Sequence, residues 1–453
     1  MTGLRIGWAT PWNANSAIAH AASEVAAELA RHGHAITVLR TETGDALSLP
    51  PRPSPWLVHA LADVPSDHIS REFDVVVAHV GNNYRYHGAL IPRLRDLGAV
   101  GIFHDAFLAD LAWEWAYLPG GAGEQALRCA VLEAYGQGGW RADEPFMIAA
   151  TVLEVARRRP MLEWLAPHTV AAVAHADHYA ARLRAACPGP VEVLPLAMEF
   201  RDLPPAPPKW NRMTVAVIGD ANPNKRIDQV ILAVAASPVL RRCCRIRVIG
   251  GATEEGRERL GAYARSLEIL PPEFTGWVPD EELRWQLRDI DVICCLRYPV
   301  LEGASASLIL ALASGRPTLV SNHGCYAEVP DDAVLTCTPG AEALDVMRHL
   351  ERLMADPAAG IAMGLRAQAV ASRRHSPAAY AASLLPMLRE VINGRPLRAA
   401  REREVIDGRP LRAARQRLGD TLGEFGLPRH DPAMLRIDAV LADMQPAENR
   451  KKR

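Results

Sequence analysis

The chain has 453 residues, beyond the length at which a single hydrophobic core stops growing, so two domains of roughly 200 residues each are expected. With a formal net charge of −1 and both signs spread along the sequence, the composition excludes a nucleic-acid binder and favours small-molecule ligands. The eight cysteines include the neighbours Cys243-Cys244 and Cys294-Cys295, which on a strand point to opposite faces; a reduced, cytoplasmic compartment fits better than a disulfide framework.

Residues 1–8 carry a short apolar strand and no signal-peptide layout. The longest apolar stretches, 146–156 and 227–236, are shorter than the ~18 residues a membrane span requires. A strand over 4–8 leads into a helix with Ile18, Ala22, Val25 and Leu29 on one face, then a strand over 35–39. Further strands are predicted over 74–80, 99–103, 170–174 and 191–194. Short continuous apolar runs of this kind mark parallel strands buried on both faces, so the first half is expected to be doubly wound. The run Leu203-Pro204-Pro205-Ala206-Pro207-Pro208 holds too much proline for either element and places a domain boundary.

The pattern restarts with strands over 213–218, 245–249, 273–278, 292–296 and 317–321, a second doubly wound sheet. The expected division is 1–203, 209–376, a helix over 377–392 packing back toward the first domain, and a tail over 393–453. In that tail Val391-Ile392-Asn393-Gly394-Arg395-Pro396 recurs as Val405-Ile406-Asp407-Gly408-Arg409-Pro410, each copy with a Gly and a Pro expected to interrupt a helix. The repeat is either a tandem duplication in a tolerant surface extension or an arginine-rich patch for anionic lipid headgroups, a peripheral contact at the inner face of a membrane.

Two strand exits of the second half are suited to an anion. After the strand over 292–296, Gly303 and Ala304 leave room for a ligand, while Ser305 and Ser307 can cap the first turn of an apolar helix through Leu308 that ends at Gly315. Glu302 stands at the mouth of that loop. After the strand over 213–218, the loop from Gly219 through Asn222 reaches Lys225 and Arg226 where a helix begins. Cations there oppose the helix dipole unless something negative neutralises them, and a phosphate would do so. Both loops leave the carboxyl edge of the sheet, where doubly wound sheets bind ligands. Asp289-Ile290-Asp291 fits a metal-binding Asp-x-Asp pattern, yet it joins a helix to a buried strand and is taken as a helix end plus a surface charge. His175-Ala176-Asp177-His178 lacks further ligands at suitable spacing and is taken as a helix-start turn.

With both loops in hand, residues 1–390 resemble glycosyltransferase family 4, a retaining group with the GT-B fold of two facing Rossmann-like domains. Glu302-Gly303 and Ala313-Ser314-Gly315-Arg316-Pro317 stand where that family has its Glu-Gly and its helix end. Leu296-Arg297-Tyr298-Pro299 and Asn222-Pro223-Asn224-Lys225-Arg226 match a bacterial subgroup, as do His79-Val80-Gly81-Asn82-Asn83 and Phe103-His104-Asp105. The resemblance implies that the second domain binds a GDP- or UDP-linked sugar and the first a saccharide or lipid-linked acceptor, with no cofactor and no metal. By the same resemblance Lys225 and Arg226 hold the diphosphate, Arg297 joins the donor-binding residues, Glu302 contacts sugar hydroxyls, and Thr275-Gly276-Trp277-Val278 border the base. His104 would face the reacting sugar beside Asp105, and the loop bearing Asn13, Ser16 and Ala17 would approach from the acceptor side with Asn82 and Asn83. Two positions depart from the family: Asp220 replaces an Arg, tolerable only if it faces away or is neutralised by Arg226, and Leu310 replaces a ribose-binding Glu. They motivate an alternative, a catalytically silent glycosyltransferase-like subunit that binds nucleotide or a partner.

Overall fold

A computed structural model describes residues 3–14, 16–136, 152–199 and 212–406, the side chains of residues 280 and 395–406 excepted. The proline-rich boundary at 203–208 and the tail beyond 406 lie outside the described residues. Met1–Pro386 make one compact unit and the remainder of the chain a second.

The first sheet contains β1 (Arg5–Thr10), β2 (Ala35–Arg40), β3 (Leu57–Ala60), β4 (Val75–Val80), β5 (Val100–Phe103), β6 (Ala171–Ala174) and β7 (Val191–Val193). All seven strands run parallel in the order β3-β2-β1-β4-β5-β6-β7. The second holds β8 (Thr214–Ile218), β9 (Arg245–Ile249), β10 (Glu273–Phe274), β11 (Val292–Cys295), β12 (Thr318–Ser321) and β13 (Leu335–Cys337). Its order, β10-β9-β8-β11-β12-β13, repeats the same winding, again all parallel. Each sheet thus reverses its winding once, between β1 and β4 and between β8 and β11, and a crevice opens there at the carboxyl edge.

Burial follows the period of two. Val215, Val217, Val292, Cys294 and Leu296 enter one core of the second domain with the helices Ile227–Ala236 and Glu342–Ala355, while Ala216, Ile218, Ile293 and Cys295 face the other core, which continues into the first domain. All eight cysteines are free, and Cys294 and Cys295 do point to opposite faces. The helix Ala17–Arg31 begins on Ser16, whose hydroxyl accepts from Ala19 N, and buries Ala22, Val25 and Leu29 as expected.

Several expectations need correction. The strand predicted over 273–278 ends at Phe274, because Gly276 takes a left-handed φ of 74° that turns the chain. The edge strands β3 and β13 were not expected; one follows the proline-rich run 50–55 and the other has three residues. The last helix runs Pro377–Ile406, so Gly394 and Pro396 of the first repeat lie within it and do not end it. Asp291 is buried and accepts from Thr214 N at 2.7 Å, pinning the start of β8 to the strand beside it instead of carrying a surface charge. Among the described residues no helix is long and apolar enough to cross a membrane.

Candidate active site

The crevice of the second sheet is made by the exits of β8 and β11. Gly219, with a left-handed φ of 89°, turns the chain out of β8 and leaves space that Lys225 fills. Pro223–Lys225 form one 3-10 turn, which sends the Lys225 side chain back over the strand, where Nζ donates to Ile218 O at 2.7 Å. Burial pushes this ammonium down to about 7, and the neighbouring Arg297 guanidinium adds to the effect. Arg297 leaves β11 next door. Its Nη1 donates to Leu296 O at 2.8 Å, its Nε to Glu302 Oε1 at 3.0 Å, and Tyr326 Oη donates to the same Glu302 oxygen at 2.7 Å. Two buried cations therefore share the crevice, with Glu302 bonded to only one of them. Burying such charge is costly unless it is compensated, and a bound anion would compensate it.

The helix start beyond Glu302 forms as expected. Ser305 Oγ accepts from Leu308 N at 3.2 Å, Ser307 Oγ lies 3.1 Å from it, and Gly315 ends the helix Ala306–Ala313 with a φ of 68°. Gly303 and Ala304 form the bend before this cap.

Arg226 does not join Lys225. It sits at a left-handed φ of 55° and directs Nε to within 3.3 Å of the carboxylate of Glu342, a buried residue that opens the helix Glu342–Ala355. Its guanidinium faces Glu342, and the cation that neighbours Lys225 is Arg297. Asp220 faces the next loop, where Oδ1 accepts from Gly251 N at 2.9 Å; Ala221 N donates to Gly251 O, and Gly250 pairs with Gly276. The exits of β8, β9 and β10 are laced together in this way, and the chain leads from Asn222 to Thr275, whose hydroxyl bonds Gly276 O, and on to Val278. Trp277 stands beside them, 77% exposed, an open aromatic face at that edge.

In the first domain three adjacent strands each bring a histidine to the carboxyl edge. His175 Nδ1 lies 2.9 Å from Leu194 O and so donates to it; His175 Nε2 is left to accept from His104 Nδ1 at 3.1 Å, and His104 Nε2 to accept from His79 Nδ1 at 2.9 Å. Burial, and then repulsion from neighbouring imidazoles, His175 foremost, hold His79 and His104 well below the usual imidazole value; burial brings His175 to about 4. Both ring nitrogens of His104 are therefore engaged within the first domain, and its imidazole does not face the cleft as expected. The row ends at His79 Nε2, buried without a partner at a cavity of about 10 Å³ that Tyr380 also lines, room for about one water.

What His104 brings to the cleft is its backbone. His104 O accepts from Gly303 N at 3.0 Å, Ala106 N donates to Leu301 O at 2.9 Å, and Asp105 pairs with Glu302 across the two domains. Asp105 Oδ2 accepts from Asn82 N at 2.8 Å; burial pushes its carboxyl up to about 7, with Glu302 and Asp110 adding to the rise. Asn82 also donates to Asp110 at 2.7 Å, Asn83 precedes the turn Tyr84–His87, and Asn13 is buried beside Trp12 at the exit of β1. Ala17 is exposed. A Cβ on Gly303 would lie 2.5 Å from Tyr179 Oη and 2.8 Å from His104 O, and that hydroxyl is already fixed by Phe103 O and His175 N. Gly303→Ala is expected to cost about 1–3 kcal/mol, the usual range for overpacking; an unchanged unfolding temperature would show that the clasp yields freely.

Tyr326, His79, His175 and Glu342 were not singled out as site residues. Their signal in the sequence was position alone: His79, His175 and Tyr326 lie at or just beyond the carboxyl ends of β4, β6 and β12, and Glu342 opens the helix after β13. Among the described residues no group of three or more His, Cys, Asp or Glu side chains is arranged to hold a metal ion.

Two parallel sheets, each with its winding reversal facing a shared cleft, define the GT-B class of fold. Residues 204–371, in the second half, match the family model described as glycosyl transferases group 1. Solved structures agree in fold across both halves. Sucrose-phosphate synthase from Thermosynechococcus elongatus superposes with a TM-score of 0.60 at 14% identity, covering 86% of this chain and 100% of that one. Anabaena HepE in complex with UDP and glucose gives 0.57 at 14% identity, covering 85% and 100%. WaaG, a glycosyltransferase involved in lipopolysaccharide biosynthesis, gives 0.53 at 14% identity, covering 84% and 99%. A comparison with curated proteins finds no match.

Proposed function

We propose that the protein is a retaining, metal-independent glycosyltransferase of the family 4 type, moving a hexose from a GDP- or UDP-linked donor to a saccharide or lipid-linked saccharide in cell-surface polysaccharide assembly. The observation that carries this is the pair of buried cations, Lys225 and Arg297, at the winding reversal of the second sheet, within the residues that match glycosyl transferases group 1. As the bond to phosphate breaks, negative charge grows on the diphosphate, and fixed cations with the amides beyond Ser305 lower that barrier. Glu302 is held at Oε1 by Arg297 and Tyr326, and its Oε2, which accepts from Leu301 N at 3.2 Å, has a second lone pair with which to accept from a donor hydroxyl. Retention follows from attack on the face the diphosphate leaves, the donor phosphate taking the acceptor's proton, so no protein nucleophile is assigned. HepE, similar in fold, has been captured with UDP and with UDP-glucose, which favours UDP as the first nucleotide to test.

Calorimetry with UDP and GDP, followed by a donor-hydrolysis assay, tests the proposal. Arg297→Ala is expected to weaken diphosphate binding at least tenfold, the worth of a charge-assisted contact, whereas Arg226→Ala changes it by less than about threefold. The reverse order would restore Arg226 to the diphosphate. Asp220 and Leu310 support a second function, a silent nucleotide-binding subunit, which tight UDP binding with no turnover on any nucleotide sugar would establish.

A further inference from the structure

Glu328 belongs to the second domain, yet the first domain holds its carboxylate. It closes the turn Gly324–Glu328 that follows β12. Its Oε2 accepts from Asp177 N at 3.0 Å and its Oε1 from His178 N at 2.8 Å, with the His178 ring 3.7 Å from the same oxygen. Those are the first amides of the helix Asp177–Ala186, whose own cap residue, Ala176, has no side-chain acceptor to offer. A carboxylate at a helix start bonds otherwise orphaned amides and meets the positive end of the dipole. One domain thus supplies the cap that the other lacks.

The same turn reaches into the anion crevice. Two residues before Glu328, the fully buried Tyr326 donates to Glu302, which in turn orients the Arg297 guanidinium. From the other side Tyr179, in the first turn of the capped helix, donates to Phe103 O at the root of the clasp that meets Gly303. Arg374 Nη1 donates to Glu328 O at 3.0 Å and fixes the end of the turn.

We propose that Glu328 is a positioning residue: by seating its turn on the first-domain helix it fixes Tyr326, and through Tyr326 and Glu302 it aims Arg297 at the crevice. The contact couples the fit of the two domains to the geometry of the anion site without touching the ligand.

Hydrogen exchange on the full chain compares wild type, Glu328→Gln and Glu328→Ala. In Glu328→Ala the amides of 177–180 and those of 301–308 are expected to exchange about tenfold faster, the scale of a lost cap, with Glu328→Gln between because it keeps one acceptor. Acceleration confined to 177–180 would reduce Glu328 to a simple cap and overturn the coupling, as would no change at all; should the alanine variant fail to fold, the glutamine variant decides alone. The consequence for the ligand rests on the glycosyltransferase function proposed above. UDP affinity is expected to fall about tenfold in both Glu328→Ala and Tyr326→Phe, and no further in the double variant, since both act through one path. Additive losses would overturn the path. Failure of the wild-type protein to bind UDP would defeat the donor assignment instead, and the exchange pattern would still decide the coupling.

Discussion

Replacing Lys225 with Ala is expected to lower turnover by roughly a hundredfold or more, the scale seen when one preorganised charge is removed from a site where charge develops. The effect should exceed that of any exposed lysine because the ammonium is buried, fixed by Ile218 O and set beside a second cation. Its pH behaviour is a separate signature. With burial bringing it to about 7, the unliganded side chain is already losing its proton at neutral pH. A bound diphosphate favours the charged form and raises that value. Affinity for UDP is therefore full below about pH 7 and falls by about tenfold per pH unit above it, until the raised value of the complex is reached. Calorimetry between pH 6 and 9 would show this slope in the wild type and its loss in Lys225→Ala. A flat wild-type profile with undiminished turnover in the variant would remove Lys225 from the site.

Acidification is expected to unfold the protein well before its surface carboxylates are exhausted. Burial lowers His87, His175 and His375 to about 4 in the folded chain, so each is neutral there while the unfolded chain titrates near its ordinary value. Their contribution is complete above about pH 6.5 and is lost as pH falls toward 4, about 3 kcal/mol per group across that window. His79 and His104, held lower still, act in the same direction. Asp105 opposes them: pushed up to about 7, it takes up its proton first in the folded state, and acidification returns about 4 kcal/mol. Three histidines against one carboxyl leave a net loss of several kcal/mol, a large share of a typical stability of about 5–15 kcal/mol. Urea denaturation at pH 7 and pH 5 measures it. A midpoint that stays put or rises on acidification would mean that these histidines are solvated in the folded chain.

Much of this architecture is legible in the amino-acid order, because local rules and tertiary demands coincide there. The continuous apolar runs across 213–218 and 292–296, the serine cap at 305, the left-handed Gly315 and the switch from apolar run to small polar loop are all set within a few residues. They place the two sheets and the two ligand loops. The edge strands β3 and β13 escaped because a short strand paired on one side leaves too few alternating positions to stand out from a loop.

What the chain order alone left open was which charge answers which. Lys225 and Arg226 are neighbours in sequence, yet a left-handed residue at 226 sends them to different partners, one to the crevice and one to Glu342, more than a hundred positions away. His104 looked free for a ligand until β4 and β6 set His79 and His175 against both of its nitrogens. Backbone elements obey nearest-neighbour geometry, so residue order determined the two sheets and their loops. Ion pairs and imidazole contacts join groups distant in sequence that only packing brings within 3.3 Å, so which of the expected cations face the crevice was decided by the tertiary structure.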